Sequence, residues 1–516
     1  MLVNYLVLSI ACCIALTRPV YGIGLLLLLE ESIFYFGTQY ASVDLPIGHA
    51  SPMDVLIICI LLGALKYSHR RQETPTAWPA PRFSVGSLLR RAVVPYVIWI
   101  AVCSAAGLTL GTFDSSFTVA VRGILSILLP WALVPAVWLL RNECRTILRL
   151  MIATATITAI VHLAITVFDV RSVMMAAYYE GDMLARVSLW RATEIDRSDV
   201  VRALPQGSML IVFILVFLSA RISVSPARRT TVDFANAAIL LWALLVTVTR
   251  SLLGLSVIGI LISPLLAFLA GFRNSRSFIR FLLVIFALGT VGASFVFLRS
   301  DYTEFWMQRA QAFSRDNRIF SPETVRGLAN IAAVDAIRDR PIIGYGVPDY
   351  PNRFTLGRAD AAGGYHSDIH PLLGVTLSGG VFAVVLFLRL HWVILSRYIR
   401  TYRSQRSLAL HTIPYLTLVA LNIIANSVGA GGTTWGRGLV VAALFLGLLA
   451  AETAREFELP ASVMRRVYVR RTAGKYSQRE ILNATYPGDA DPQRSSIHEE
   501  SPQESATCHR ISAGVT

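Results

Sequence analysis

Residues 371 to 388 read Pro371-Leu-Leu-Gly-Val-Thr-Leu-Ser-Gly-Gly-Val-Phe-Ala-Val-Val-Leu-Phe-Leu388, a stretch without a single charge. A helix needs ~20 predominantly apolar residues to cross ~30 Å of hydrocarbon, and this run, continued to Val393, is long enough. Hydrocarbon offers no partner for backbone N–H and C=O groups, so such a run must be helical. Comparable runs recur at 3–17, 20–37, 53–67, 92–111, 118–139, 147–169, 208–222, 233–249, 251–271, 281–298, 411–427 and 438–454. Of 516 residues, 54% are hydrophobic and only 15% charged. The sequence therefore predicts an all-α polytopic membrane protein of about twelve to thirteen transmembrane helices, with a large, partly helical external (periplasmic) loop.

A net charge of +15 in a soluble chain would suggest nucleic acid, but here its placement points to the membrane instead. Arginine-rich links follow alternate spans: His69-Arg70-Arg71 with Arg90-Arg91, then Arg141/Arg145/Arg149, Arg228-Arg229, Arg273/Arg276/Arg280 and Arg397/Arg400/Arg403/Arg406. The links 38–52, 112–117 and 428–436 contain neither Lys nor Arg. The positive-inside rule puts the first set in the cytoplasm, which gives an external N-terminus and a cytoplasmic C-terminus. Membrane lipids are an expected partner, and nucleic acid is not.

Two long polar segments, 170–206 and 299–370, then fall outside. Long loops are weakly constrained by the positive-inside rule, so their arginines do not conflict with this arrangement. The arginine preference itself, with Lys66 and Lys475 the chain's two lysines, is explained by codon composition. Cys12, Cys13, Cys59 and Cys103 lie in spans, and Cys144 and Cys508 are expected in the cytoplasm, so no disulfide framework or Cys-x-x-Cys metal site is implied. Residues 1–458 read as the membrane domain, external loops included. Residues 459–516, with Pro487, Pro492 and Pro502 and no apolar periodicity, read as a disordered cytoplasmic tail. Its basic start, Arg465-Arg466 and Arg470-Arg471, suits anionic lipid.

The second external segment carries the chemistry-bearing residues. Within 323–341, apolar residues at Leu328, Ile331, Ala332, Val334 and Ile337 predict an amphipathic helix ended by Pro341. Gly344-Tyr345-Gly346 predicts a tight turn, and Pro371 marks the first turn of the following span. His366 and His370 then sit at or just before a helix N-terminus, which favours anions and disfavours an imidazolium. A neutral imidazole there is a candidate base near pH 7. Polar anchoring at the membrane interface is the alternative role. His366-x₃-His370 could also begin a metal site, but no third ligand is nearby, so no metal is expected. Glu30, Glu31 and His162 fall within spans and remain functional candidates by their placement.

These residues resemble the O-antigen ligase and O-antigen polymerase superfamily. The shared pattern is an arginine (Arg326), then Pro341-Ile-Ile-Gly-Tyr-Gly346, then His366, Leu373 and Gly380 in order and spacing. Thr247-Val-Thr-Arg250-Ser251 is similar to the family's Ser/Thr-Arg signature at a span end. Asn330 stands where the family has Trp, Ser367 where it has Asn, His370 where it has Leu, and Leu377 where it has the first Gly of a pair.

The resemblance implies a membrane glycosyltransferase of the cytoplasmic (inner) membrane, with its active site facing the periplasm or cell exterior. It would move a glycan from undecaprenyl diphosphate to an acceptor hydroxyl, without a metal or other cofactor and with inversion. His366 would be the catalytic base. Arg250 and Arg326 would bind the donor's diphosphate, together with Arg197 or Arg202 ahead of Pro205. Guanidinium suits phosphate because it stays charged and binds bidentately. In a ligase the acceptor is lipid A-core. In a polymerase, the alternative, it is another lipid-linked glycan in O-antigen or exopolysaccharide synthesis. A transporter or flippase of lipid-linked sugars is a third reading. Such proteins show internal repeats or helices broken near the membrane midplane, and hydropathy reveals no repeat.

Overall fold

A computed structural model describes residues 2–30, 43–45, 48–50, 52–72, 89–109, 125, 128–167, 190–193, 202–205, 208–224, 227–246, 253–254, 256–262, scattered positions between 279 and 294, 325–346, 371–404 and 437–457. The chain divides into two units, Met1–Phe457 and Glu458–Thr516, and all described residues belong to the first. The expected tail at 459–516 and the expected span at 411–427 lie outside the described residues, as does most of the span at 281–298.

The described residues are mostly helical. In chain order the helices are α1 (Leu2–Thr17), α2 (Pro19–Glu30), α3 (Pro52–Gln72), α4 (Val94–Thr109, entered through a π turn at Leu89–Val93), α5 (Leu133–Leu139) and α6 (Cys144–Val167). They continue with α7 (Ser208–Val224), α8 (Ala227–Val246), α9 (Val325–Asp339), α10 (Pro371–Ser404) and α11 (Arg437–Phe457). Two short antiparallel hairpins depart from the all-α expectation. One pairs β1 (Val43–Leu45) with β2 (Gly48–Ala50), and the other pairs β3 (Trp190–Thr193) with β4 (Arg202–Pro205). Both fall in polar links between helices, where the backbone has no helical partner and pairs across the link instead.

Two helices are long and apolar enough to cross a membrane by length and composition, Arg141–Ala164 and Leu372–Val393. Several other apolar stretches among the described residues are shorter, among them Leu6–Thr17, Met209–Ile222 and Leu439–Ala451. α3 and α10 overrun their hydropathy-defined spans into basic residues, α3 from 67 to Gln72 and α10 from 393 to Ser404. Helix geometry tolerates Lys and Arg well, so the polar boundary marks the end of the apolar stretch and not the end of the helix.

Packing is densest around α7 and α11. From Leu210 to Phe217 and from Leu439 to Ala451, residue after residue is buried, so these helices are enclosed on every side. Phe445 of α11 sits between Phe213 and Phe217 of α7, with ring centroids 5.4 and 6.2 Å away. α6 packs against α2, α7 and α8, while α3 packs against α1 and α2. The α1–α3 approach is close because Gly63 has no side chain: a Cβ there would run into the Ala15 carbonyl.

An ion pair closes the α7–α8 hairpin. Arg221 donates from Nε to Asp233 at 2.7 Å, and its Nη2 reaches the other carboxylate oxygen. Asp233 is almost fully buried, and the guanidinium also lies 5.5 Å from the Phe217 ring centroid. Removing one partner strands the other charge, which costs about 3 kcal/mol or more for a buried pair. Arg221→Met is therefore expected to lower the melting temperature in detergent clearly, and Arg221→Met/Asp233→Asn to recover part of the loss. Equal melting of all three proteins would mean that the pair contributes nothing.

Candidate functional site

The site is built from the end of α9, the segment after it, and a break in α10. The sequence reading of α9 identifies the helix, its stop and one packed residue, Ile337, but not the small residues at the centre of its buried face. Ala333 and Ala336 meet Leu377 together with half-buried Ile337, Tyr345 and Leu373, and Asn330 is fully buried one turn earlier on the same face. Small residues line this face because α9 lies close against α10, and apolarity alone does not mark them. Asp335 and Arg338 pair on the outer side at 3.2 Å, both side chains well exposed.

Pro341 ends α9, since it has no N–H to continue the helical ladder. The turn falls at Pro341–Ile343, one step before the predicted Gly344-Tyr345-Gly346 turn. Gly344 (φ 68°) and Gly346 (φ 88°) carry left-handed backbone instead, and they aim the chain at α10. The Tyr345 N–H donates to the Leu377 carbonyl (2.7 Å) and the Gly346 N–H to the Ser378 carbonyl (2.9 Å). The Arg340 guanidinium stacks 5.0 Å from the Tyr345 ring centroid.

α10 accepts these bonds because it is interrupted. After Ser378, Gly379 (φ −147°, ψ 18°) and Gly380 (φ 68°, ψ −170°) leave helical geometry, and the helix resumes at Val381. The Gly380 conformation is one that essentially only glycine adopts. A break in a helix orphans carbonyls on one side and N–H groups on the other. Here they find partners: Leu377 and Ser378 through the loop, Gly379 through the Trp99 indole N–H of α4 (2.7 Å), and the Val381 N–H through the Pro341 carbonyl (2.8 Å). The fit leaves no room for a side chain. A Cβ on Gly344 would lie 2.8 Å from the Gly380 nitrogen, and one on Gly380 would strike the Ile342 carbonyl.

The structure thus brings together Pro341–Gly346, Leu373 and Gly380, separate in sequence but joined in one knot of backbone. Arg326 lies in the first turn of α9, and Arg202 opens β4 opposite Thr193; their side chains are not among the described ones. His366, Arg250 and Arg197 lie outside the described residues. Gly379 and Trp99 belong to the knot and were not legible as site residues. Consecutive glycines inside an apolar run are a break signal, but a contact as distant in sequence as Trp99 to Gly379 leaves no local trace. His162 is buried in α6, on the same helical face as buried Thr154 and Thr158. Among the described residues, no group of three or more His, Cys, Asp or Glu side chains could hold a metal ion.

A scan of family models finds no match to this chain, and a search of curated proteins finds none.

Proposed function

We propose that this chain is a polytopic inner-membrane glycosyltransferase of the O-antigen ligase kind. It moves a glycan from undecaprenyl diphosphate to an acceptor hydroxyl on the outer face. The observation that carries this reading is the knot of Pro341–Gly346 with the break at Gly379–Gly380. The two halves of the motif that prompted the resemblance meet through backbone hydrogen bonds. Arg326 and the start of α10 lie on the same side of the knot, which leaves room for the proposed pairing of Arg326 with His366. α9 and the first part of α10 both end at the knot and pack side by side through Ala333, Ala336, Leu373 and Leu377. Arg326 therefore stands ~20 Å back from the knot along α9. Pro371 stands ~10 Å back along α10, and the five residues to His366 can span up to ~17 Å more.

Membrane residence is supported by the faces that the helices leave uncovered. Leu6 and Ile10 of α1, Ile58 and Leu62 of α3, and Val385 and Trp392 of α10 are about half exposed or more. Apolar surface on this scale is rare in soluble monomers and suits acyl chains.

In the proposed reaction His366 takes the proton of the acceptor hydroxyl. That oxygen attacks the anomeric carbon as its bond to the diphosphate breaks, which inverts the configuration. Arg250 and Arg326, with Arg197 or Arg202, hold the departing diphosphate. Each charge-assisted bond contributes about 1.5–3 kcal/mol, more where water is excluded.

Incubating the purified protein with lipid-linked repeat units, with and without lipid A-core acceptor, tests the reading. Single transfer that requires the lipid A-core acceptor is the expected result. Lengthening ladders from donor alone identify a polymerase. The break in α10 is also of the kind transporters use, so donor that stays chemically intact but crosses the bilayer identifies a transporter and removes the transferase reading.

A further inference from the structure

The depth of the knot can be read from two helices independently. Along α4, Trp99 and Cys103 face the Gly379 carbonyl, at 2.7 and 3.9 Å. Arg91 lies about 12 Å to one side of Trp99, and the end of α4 at Thr109 about 9 Å beyond Cys103, at 1.5 Å per residue. Along α10, Pro371 lies about 10 Å before the break and Arg389 about 12 Å after it. Both measures put Gly379 near the middle of a ~30 Å hydrocarbon layer.

Irregular backbone at that depth is tolerated only where protein covers it or water reaches it. Two kinds of surface adjoin the knot. Ile342 (58% exposed), Ile343, Val381 and Phe382 (55%) form an uncovered apolar group continuous with the exposed face of α10. In the last turns of α9, within ~10 Å of Pro341 along the helix, Asp335 and Arg338 have side chains 63% and 75% exposed. Charges that face hydrocarbon below the membrane surface are costly, which favours water on that side of α9.

We infer that Pro341–Gly346 is a re-entrant segment. It dips from the outer face to about mid-membrane, seats Ile342 and Ile343 against lipid acyl chains, and floors a water-filled recess lined by Asp335 and Arg338. The inference rests on the membrane reading above and not on the transfer chemistry. The recess brings water to a depth that an external loop alone would not reach.

The native full-length protein in phospholipid vesicles tests this without substitution. A phospholipid with a diazirine on its acyl chain is photolysed, and a water-soluble carbodiimide with an amine nucleophile marks accessible carboxyls. Both are mapped by mass spectrometry. The acyl-chain label is expected on Ile342–Ile343 at a level comparable to Val385 and Trp392, and the carbodiimide adduct on Asp335. Acyl label on Val385 and Trp392 but none on Ile342–Ile343 would overturn the re-entry. Failure to modify Asp335 would remove the aqueous recess. No acyl label at any of the four positions would sink the membrane reading itself.

Discussion

Replacing Gly380 with valine is expected to lower glycan transfer about 10²-fold while leaving the protein in the membrane, because misplacing a catalytic group by ~1 Å costs that much. Gly380 holds a backbone conformation that a β-branched residue does not adopt, and its Cβ would meet the Ile342 carbonyl. The helix can relieve the clash only by expelling Pro341–Gly346, which breaks the bonds from Tyr345 and Gly346 and the one that Val381 gives to Pro341. α9 then loses its anchor, and Arg326 with it. Gly254→Ala is the control, since nothing lies within 4 Å of a Cβ there. Transfer rates measured beside membrane yield check the point. Unchanged transfer in the Gly380→Val protein would show that the knot does not position the site.

The second large effect belongs to His366. His366→Ala is expected to slow transfer by about 10²–10⁴-fold, the usual contribution of a general base, with donor binding intact. Arg326→Ala is expected to show the opposite split. Loss of one charge-assisted bond of about 1.5–3 kcal/mol weakens donor binding roughly 10- to 10²-fold. Binding of a fluorescent lipid diphosphate, measured beside the transfer rate, separates the two. A His366→Ala protein that inserts normally and transfers at the wild-type rate removes the base. Unaltered donor affinity in Arg326→Ala removes the diphosphate assignment.

Proline made the ends of this site legible. The missing N–H of Pro341 stops α9, and that of Pro371 costs nothing in the first turn of α10, so both boundaries follow from local chemistry. The apolar runs at 53–67 and 208–222 likewise foretell α3 and α7. Hydropathy averages over side chains and does not register backbone, so it read 371–393 as one continuous span and passed over the interruption at Gly379–Gly380. The centre of the buried face of α9 escaped for a related reason. Close helix approach selects alanines 333 and 336, whereas periodicity analysis weights the larger Leu328, Ile331 and Val334. Trp99 was out of reach altogether, because its partner carbonyl is far along the chain and only the folded molecule joins them.

The whole account rests on the proposed sidedness, which would put a lipid-diphosphate donor on the outer face with arginines to hold it and a base beside them. A reporter fused after residue 320, active only outside the cytoplasmic membrane, measures it directly. The account predicts a strong external signal from a fusion that still inserts. A cytoplasmic signal would contradict the topology and the transfer mechanism together.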